Sequence, residues 1–250
     1  METKRAIQTA HRWLGLILAA QVLIWMTSGV IMSWFPIEHV RGETAASIEA
    51  PVELAAKSYF PPGGVIADSD HATDVRLKIW QGRSVYVVTG ENGRALFDAD
   101  SGEKLSPLPE DLARKVAESD FRGEGELERV TLMNNPPAEF RGPRPVWRAE
   151  FSDADETRLY ISPETGDVLA RRNRVWRLYD FFWMLHIMDY EERENFNNPL
   201  IRAFAVTGFL FALSGLFLVV TRVTGGRYKA DVVRPKPAHG SGEGRDAPPT

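Results

Sequence analysis

The sequence contains no cysteine. That absence excludes disulfides, thiolate-held zinc or iron–sulfur centres, CxxC redox chemistry and covalently attached haem c. It leaves the compartment open, because an oxidising space permits disulfides without requiring them. Charge is missing from two long runs, residues 13–37 and 203–221, which hold no Asp, Glu, Lys or Arg. Between them positive charge is scarce: residues 36–199 carry 30 acidic and 20 basic side chains. A segment of that sign repels phosphates, so a nucleic-acid partner is excluded. The formal net charge of −4 over 250 residues conceals this partition. Enzyme signatures are lacking too, with no HExxH, GxSxG, Walker or dinucleotide-glycine pattern. The acidic pairs Glu191/Glu192 and Asp153/Asp155 sit in turn-like polar runs. They read as solvated rather than as acid–base pairs. Sequence reasoning therefore assigns no catalytic residue and no metal site.

What is present begins with Trp13–Ile37, WLGLILAAQVLIWMTSGVIMSWFPI. A bilayer needs about 20 apolar residues at 1.5 Å each, and this run has room to tilt. It is longer than a cleaved signal's roughly 7–15-residue apolar region and lacks a small-residue cleavage site, so a retained anchor is expected. AFAVTGFLFALSGLFLVVT (203–221), bracketed by Arg202 and Arg222, is a second span. Lys4, Arg5 and Arg12 precede the first span; Arg222, Arg227, Lys229, Arg234 and Lys236 follow the second. Positive loops stay inside, so both termini are placed in the cytoplasm and residues 38–199 outside. Trp13 and Trp34 suit the two interfaces. The expected division is a cytoplasmic 1–12, helix 13–37, helix 200–221 and a cytoplasmic, partly disordered 222–250. Gly15–Ala19 and Gly208–Ala212 have the spacing that lets membrane helices approach closely.

The central segment shows one pattern twice. VELAAKSYF (52–60) predicts a helix, DVRLKIWQ (74–81) and SVYVVTG (84–90) predict strands, and RALFDADSGEKL (94–105) closes the copy. The second copy has a helix at 108–119 and strands at 127–134, 145–153 and 157–169. The closing segments align at an offset of 64, pairing Phe97 with Ile161, Gly102 with Gly166 and Leu105 with Leu169. Gly suits both turns if they need positive φ. The fold class is thus α+β: two α-β-β-β repeats (38–106 and 107–174) with antiparallel sheets, plus two transmembrane helices. Gly63-Gly64, after two prolines, reads as a loop.

The strand "LYI-x-P-x-TG-x-VL" (Leu159 to Leu169) resembles that of the PepSY domain. HRWLGL (11–16), paired domains between two membrane helices and WMLH (183–186) resemble PepSY-associated transmembrane proteins. That resemblance implies iron and siderophore uptake, in which longer members are haem-bearing ferric-siderophore reductases with more spans than the two read here. Isolated PepSY domains are associated with peptidase inhibition.

WRLYDFFWMLHIMDY (176–190) is too short to cross at about 22 Å of helix. Residues 175–199 are expected at the outer interface, with Trp176, Phe182, Trp183 and Tyr190 as interaction residues. Among the histidines, His239 lies in a Pro/Gly-rich tail and His71 in an acidic turn lacking an EF-hand's Gly and Glu. His11, His39 and His186 remain as candidate haem b ligands. On the assigned topology His11 and His186 are separated by roughly 30 Å of hydrocarbon, so they cannot share one haem within a monomer. His39 and His186, both outside, can. The haem implied by the resemblance falls on His11 and His186, each then needing a donor from a second subunit. No cofactor is assigned outright. The expected partners are the lipid bilayer and a membrane protein or a second copy. The leading function is a non-enzymatic accessory or regulatory subunit; the alternatives are a haem-binding or ferric-siderophore reductase component and an inhibitor of a periplasmic peptidase.

Overall fold

The computed structural model describes residues 2–47, 53–69 and 71–225. The chain divides into two units, residues 1–24 with 197–250, and residues 25–196. His239 and the basic residues after 225 lie outside the described residues.

Helix α1 (Glu2–Trp34) starts well before the charge-free run and ends at Trp34. Pro36 explains the stop, because the residue before a proline is pushed out of the helical region. A short helix α2 (Ile37–Val40) and a 3-10 turn (Glu43–Ala45) follow. At the other end, helix α6 (Pro199–Thr224) is opened by Asn198, whose side chain accepts the Ile201 N–H, with Pro199 in the first turn. Proline there costs no hydrogen bond and pre-sets φ. Both helices are long and apolar enough to cross a membrane.

In the first unit these two helices meet through small residues. The His11 ring stacks on Phe211 with centroids 4.3 Å apart. A Cβ on Gly215 would lie 3.0 Å from His11, and one on Gly15 would lie 2.9 Å from Phe211. Gly208 faces open space, so the close approach expected there is not found. The second helix yields its gap one heptad later, at Gly215.

The second unit holds two antiparallel sheets. One has the order β1 (Asp74–Trp80), β2 (Arg83–Gly90), β3 (Gly93–Asp98); the other β4 (Leu127–Met133), β5 (Val146–Phe151), β6 (Arg158–Ile161), β7 (Val168–Arg172). Helix α4 (Glu110–Asp120) buries Ala113, Val116 and Ala117 in one core with Val85 and Leu96 of the first sheet and Trp147, Leu159 and Ile161 of the second. Alternation along the strands gives each sheet another buried face. Tyr86, Val88 and Phe97 pack with Val65 of helix α3 (Pro62–Ala67). Val146 and Tyr160 pack with Phe140.

Two expectations fail in the first copy. Residues 53–60 are not helical, and the helix lies at 62–67 instead, with Gly63 and Gly64 inside it rather than in a loop. Pro62 at the first helical position pre-organises the turn, and the burial of Val65 holds it; neither shows as a helical period in the sequence. The closing segment is also shorter, since β3 ends at Asp98 and only a bridge from Phe97 to Lys104 continues the pairing. The first sheet therefore has three strands against four.

Candidate functional site

The turn at residues 162–167 joins the two sheets. Ser162 Oγ accepts the N–H groups of Glu164 and Thr165, and Gly166 adopts φ +68°. At the offset of 64, Asp98 accepts from Asp100 and Ser101, and Gly102 has φ +78°. The backbone bonds match as well, Gly102 N–H to Asp98 O and Gly166 N–H to Ser162 O, each 2.9 Å. Gly166 is further constrained by Trp80 of the other sheet, whose indole donates to its carbonyl at 3.2 Å. Lys78 Nζ lies 2.6 Å from Asp167 Oδ1, and the Arg94 N–H reaches Glu164.

Helix α5 (Arg174–Ile187) is fastened along its length. Asn173 caps it by accepting from the Trp176 N–H, and its amide donates to the His39 carbonyl at 2.8 Å. Buried Asp180 accepts from Arg141 at 2.9 Å and also pairs with Arg193. Glu139 takes Tyr160 Oη at 2.7 Å, Arg177 Nε at 2.9 Å and Arg158 Nη1 at 3.0 Å. Burial alone would raise the Glu139 carboxyl; these three donors outweigh it and hold the group below its ordinary value of 4.5. The Tyr160 hydroxyl is pushed upward by burial and by that carboxylate. Arg172 lies over the Trp176 ring at 4.1 Å and donates to two carbonyls. Burial lowers its pKa, with no change of charge at neutral pH.

At its C-terminal end α5 grips α1. His186 Nδ1 is 2.9 Å from Ser28 Oγ, and Trp25 Nε1 donates to the His186 carbonyl at 2.8 Å. Ser28 Oγ also lies 3.0 Å from the Trp25 carbonyl; with its single proton on that carbonyl, the tautomer that completes the set carries its proton on Nδ1 and its lone pair on Nε2. The same arrangement occurs in the first unit. Ser214 Oγ donates to Phe211 O and lies 2.7 Å from His11 Nδ1.

The model of the family described as PepSY-associated TM region matches residues 8–241. The chain belongs to the PepSY-associated transmembrane family. With its two apolar helices, membership supports a two-pass inner-membrane protein in contact with the lipid bilayer. No curated protein and no solved structure matches the chain.

Within this family member the predicted site residues fall in separate places. His39 faces the domain, its Nε2 3.7 Å from Asp155, beside the N-terminal end of α5. His186 lies thirteen residues after Asn173 on that helix, about 20 Å further along it. The structure thus does not bring His39 and His186 onto one porphyrin. His71 lies in a turn with φ 46°, outside any cluster of three or more candidate metal ligands among the described residues. Of the interaction residues, Trp176 and Trp183 are taken up internally, Trp183 by the Arg193 carbonyl at 3.0 Å and the Phe196 ring. Phe182 is half-buried against Phe181, and Tyr190 is exposed. Sequence reasoning missed Glu139, Asp180 as an anchor, Ser28 and Ser214. A hydroxyl within an apolar run was the available signal for the two serines.

Proposed function

We propose that the chain is a non-enzymatic accessory or regulatory subunit that binds a membrane-protein partner on the periplasmic side, with both termini cytoplasmic. The orientation rests on Lys4, Arg5, Arg12 and Arg222 at one end of the two helices. The observation that carries the reading is α5. It is fixed to the second sheet through Glu139, to the β4–β5 loop through Asp180 and to α1 through His186, yet Leu178 and Phe181 remain 42% and 48% exposed. A rigid helix that presents apolar groups while tied to both domain and anchor suits the passage of a binding event from one to the other. Purification of the full chain from native membranes in mild detergent tests it. A subunit in fixed stoichiometry, lost in Phe181→Ala/Tyr190→Ala, is expected; a lone chain in both preparations contradicts it.

A second reading, a haem-binding component, is favoured by one observation. A haem takes neutral imidazole Nε2, and both His11 and His186 have Nδ1 tied to a serine with Nε2 left over. Each fits one axial position. A Soret band in the purified protein that vanishes in His186→Ala supports this reading, and a colourless protein contradicts it.

A further inference from the structure

The charge-free run of α1 suggests a span over residues 13–37, but the two units argue for another register. In the first, His11 meets Ser214 and Gly15 meets Phe211, so α1 and α6 run antiparallel in step. Extending that alignment along both helices puts Arg222 level with Lys4 and Arg202 level with Ile24. The twenty residues between each pair of levels measure about 30 Å, the thickness of the hydrocarbon.

The second unit gives an upper limit independently. Ser28 holds His186, and the turn that immediately follows α5 leaves Glu191 and Glu192 exposed. Asp189 organises that turn, accepting the N–H groups of Glu191, Glu192, Glu194 and Asn195. Exposed carboxylates do not reside in hydrocarbon. The hydrocarbon therefore ends no further along α1 than the level of Ser28.

We infer that the bilayer crosses α1 between Lys4 and Trp25, and that residues 26–34 stand outside it as a stalk. Trp25 then sits where interfacial aromatics belong. Arg12, exposed on α1 two turns beyond Lys4, extends its long side chain toward the headgroups on that side. The stalk reads as membrane because α5 covers one face, at Trp25, Ser28 and Gly29. On the other face Met26, Val30 and Trp34 recur every fourth residue at 68%, 61% and 79% exposure. Those side chains meet water rather than acyl chains.

The absence of cysteine makes the test clean. Single-cysteine variants of the full chain at Val30, Trp34, Ile17, Leu213 and Glu191 are spin-labelled in liposomes, and collision with oxygen is compared with collision with a water-soluble nickel chelate. All five positions are exposed, so the substitutions leave packing intact. The chelate-to-oxygen ratio at Val30 and Trp34 should match Glu191 and exceed Ile17 and Leu213 several-fold. A ratio at Val30 equal to that at Ile17 overturns the inference, and so does protection of Val30 from both reagents.

Discussion

His186 and Ser28 join two helices that are 158 positions apart in sequence, by an imidazole–hydroxyl bond of 2.9 Å. The bond is backed in the reverse direction by Trp25, which donates to the His186 carbonyl. Removing the hydroxyl leaves the Nδ1–H unpaired in a dry contact. Ser28→Ala should cost about 1–3 kcal/mol of thermal stability and speed hydrogen exchange across residues 182–188, while α4 stays protected.

Glu139 predicts an acid limit. Its folded pKa is depressed, so its stabilising effect is complete above the ordinary value of 4.5 and is lost as pH falls through the lower folded value. Unfolding in detergent should therefore show stability declining below pH 4.5 in the wild type, and a flatter profile in Glu139→Gln. That variant should already be less stable at pH 7 by about 1.5–3 kcal/mol, because Arg158 and Arg177 lose their closest charged acceptor and keep only the longer pairings to Glu150 and Glu156, at 3.5 and 3.8 Å.

Asp189 behaves in the same sense at the turn. Backbone N–H donors, led by Asn195, lower its pKa from 3.8, so the turn should loosen as pH falls below that value. Asp189→Asn should reproduce the loosening at neutral pH, read as faster proteolysis within residues 190–197 and unchanged cleavage elsewhere.

The glycines separate space from conformation. Gly166 has φ +68° and its Cβ would lie 2.5 Å from Trp80, so Gly166→Ala should cost about 2–4 kcal/mol. Gly82 has φ +74° with nothing near, so Gly82→Ala should cost only the conformational part, about 1–2 kcal/mol. Within the membrane pair, Gly215→Ala crowds His11 at 3.0 Å and should weaken helix association, whereas Gly208→Ala meets open space and should be neutral or stabilising. Thermal melts of the four variants check the order.

The parts legible in the sequence were those with a period or a turn signature. Four of the seven strands, β1, β2, β4 and β5, appear within about two residues of their expected limits because alternation dictates them, whereas β3 and β6 stop at the Asp98–Gly102 and Ser162–Gly166 turns, well short of the limits expected at 105 and 169. The last, β7, is the resumption of Leu after Gly166 that the offset of 64 exposed. Helix α3 was misplaced because six residues held by Pro62 and one buried Val65 carry no helical period. The histidines were legible as residues and not as sites. Their partners Ser28 and Ser214 are hydroxyls in apolar runs, and nothing local distinguishes a serine bonded to its own helix from one that also receives an imidazole. The grip of Asp180 on Arg141 and Arg193 was equally hidden, since it depends on two loops that fold back on α5.

The central claim is that α5 presents a partner-binding face tied to both domain and anchor. A photo-activatable residue at Phe181 of the full chain, irradiated in native membranes, tests it most directly. The account predicts one discrete protein adduct of higher mass, strongly reduced in Tyr190→Ala, and lipid adducts only from a probe at Ile17, which faces the bilayer. Lipid adducts alone at Phe181, or none, would contradict it.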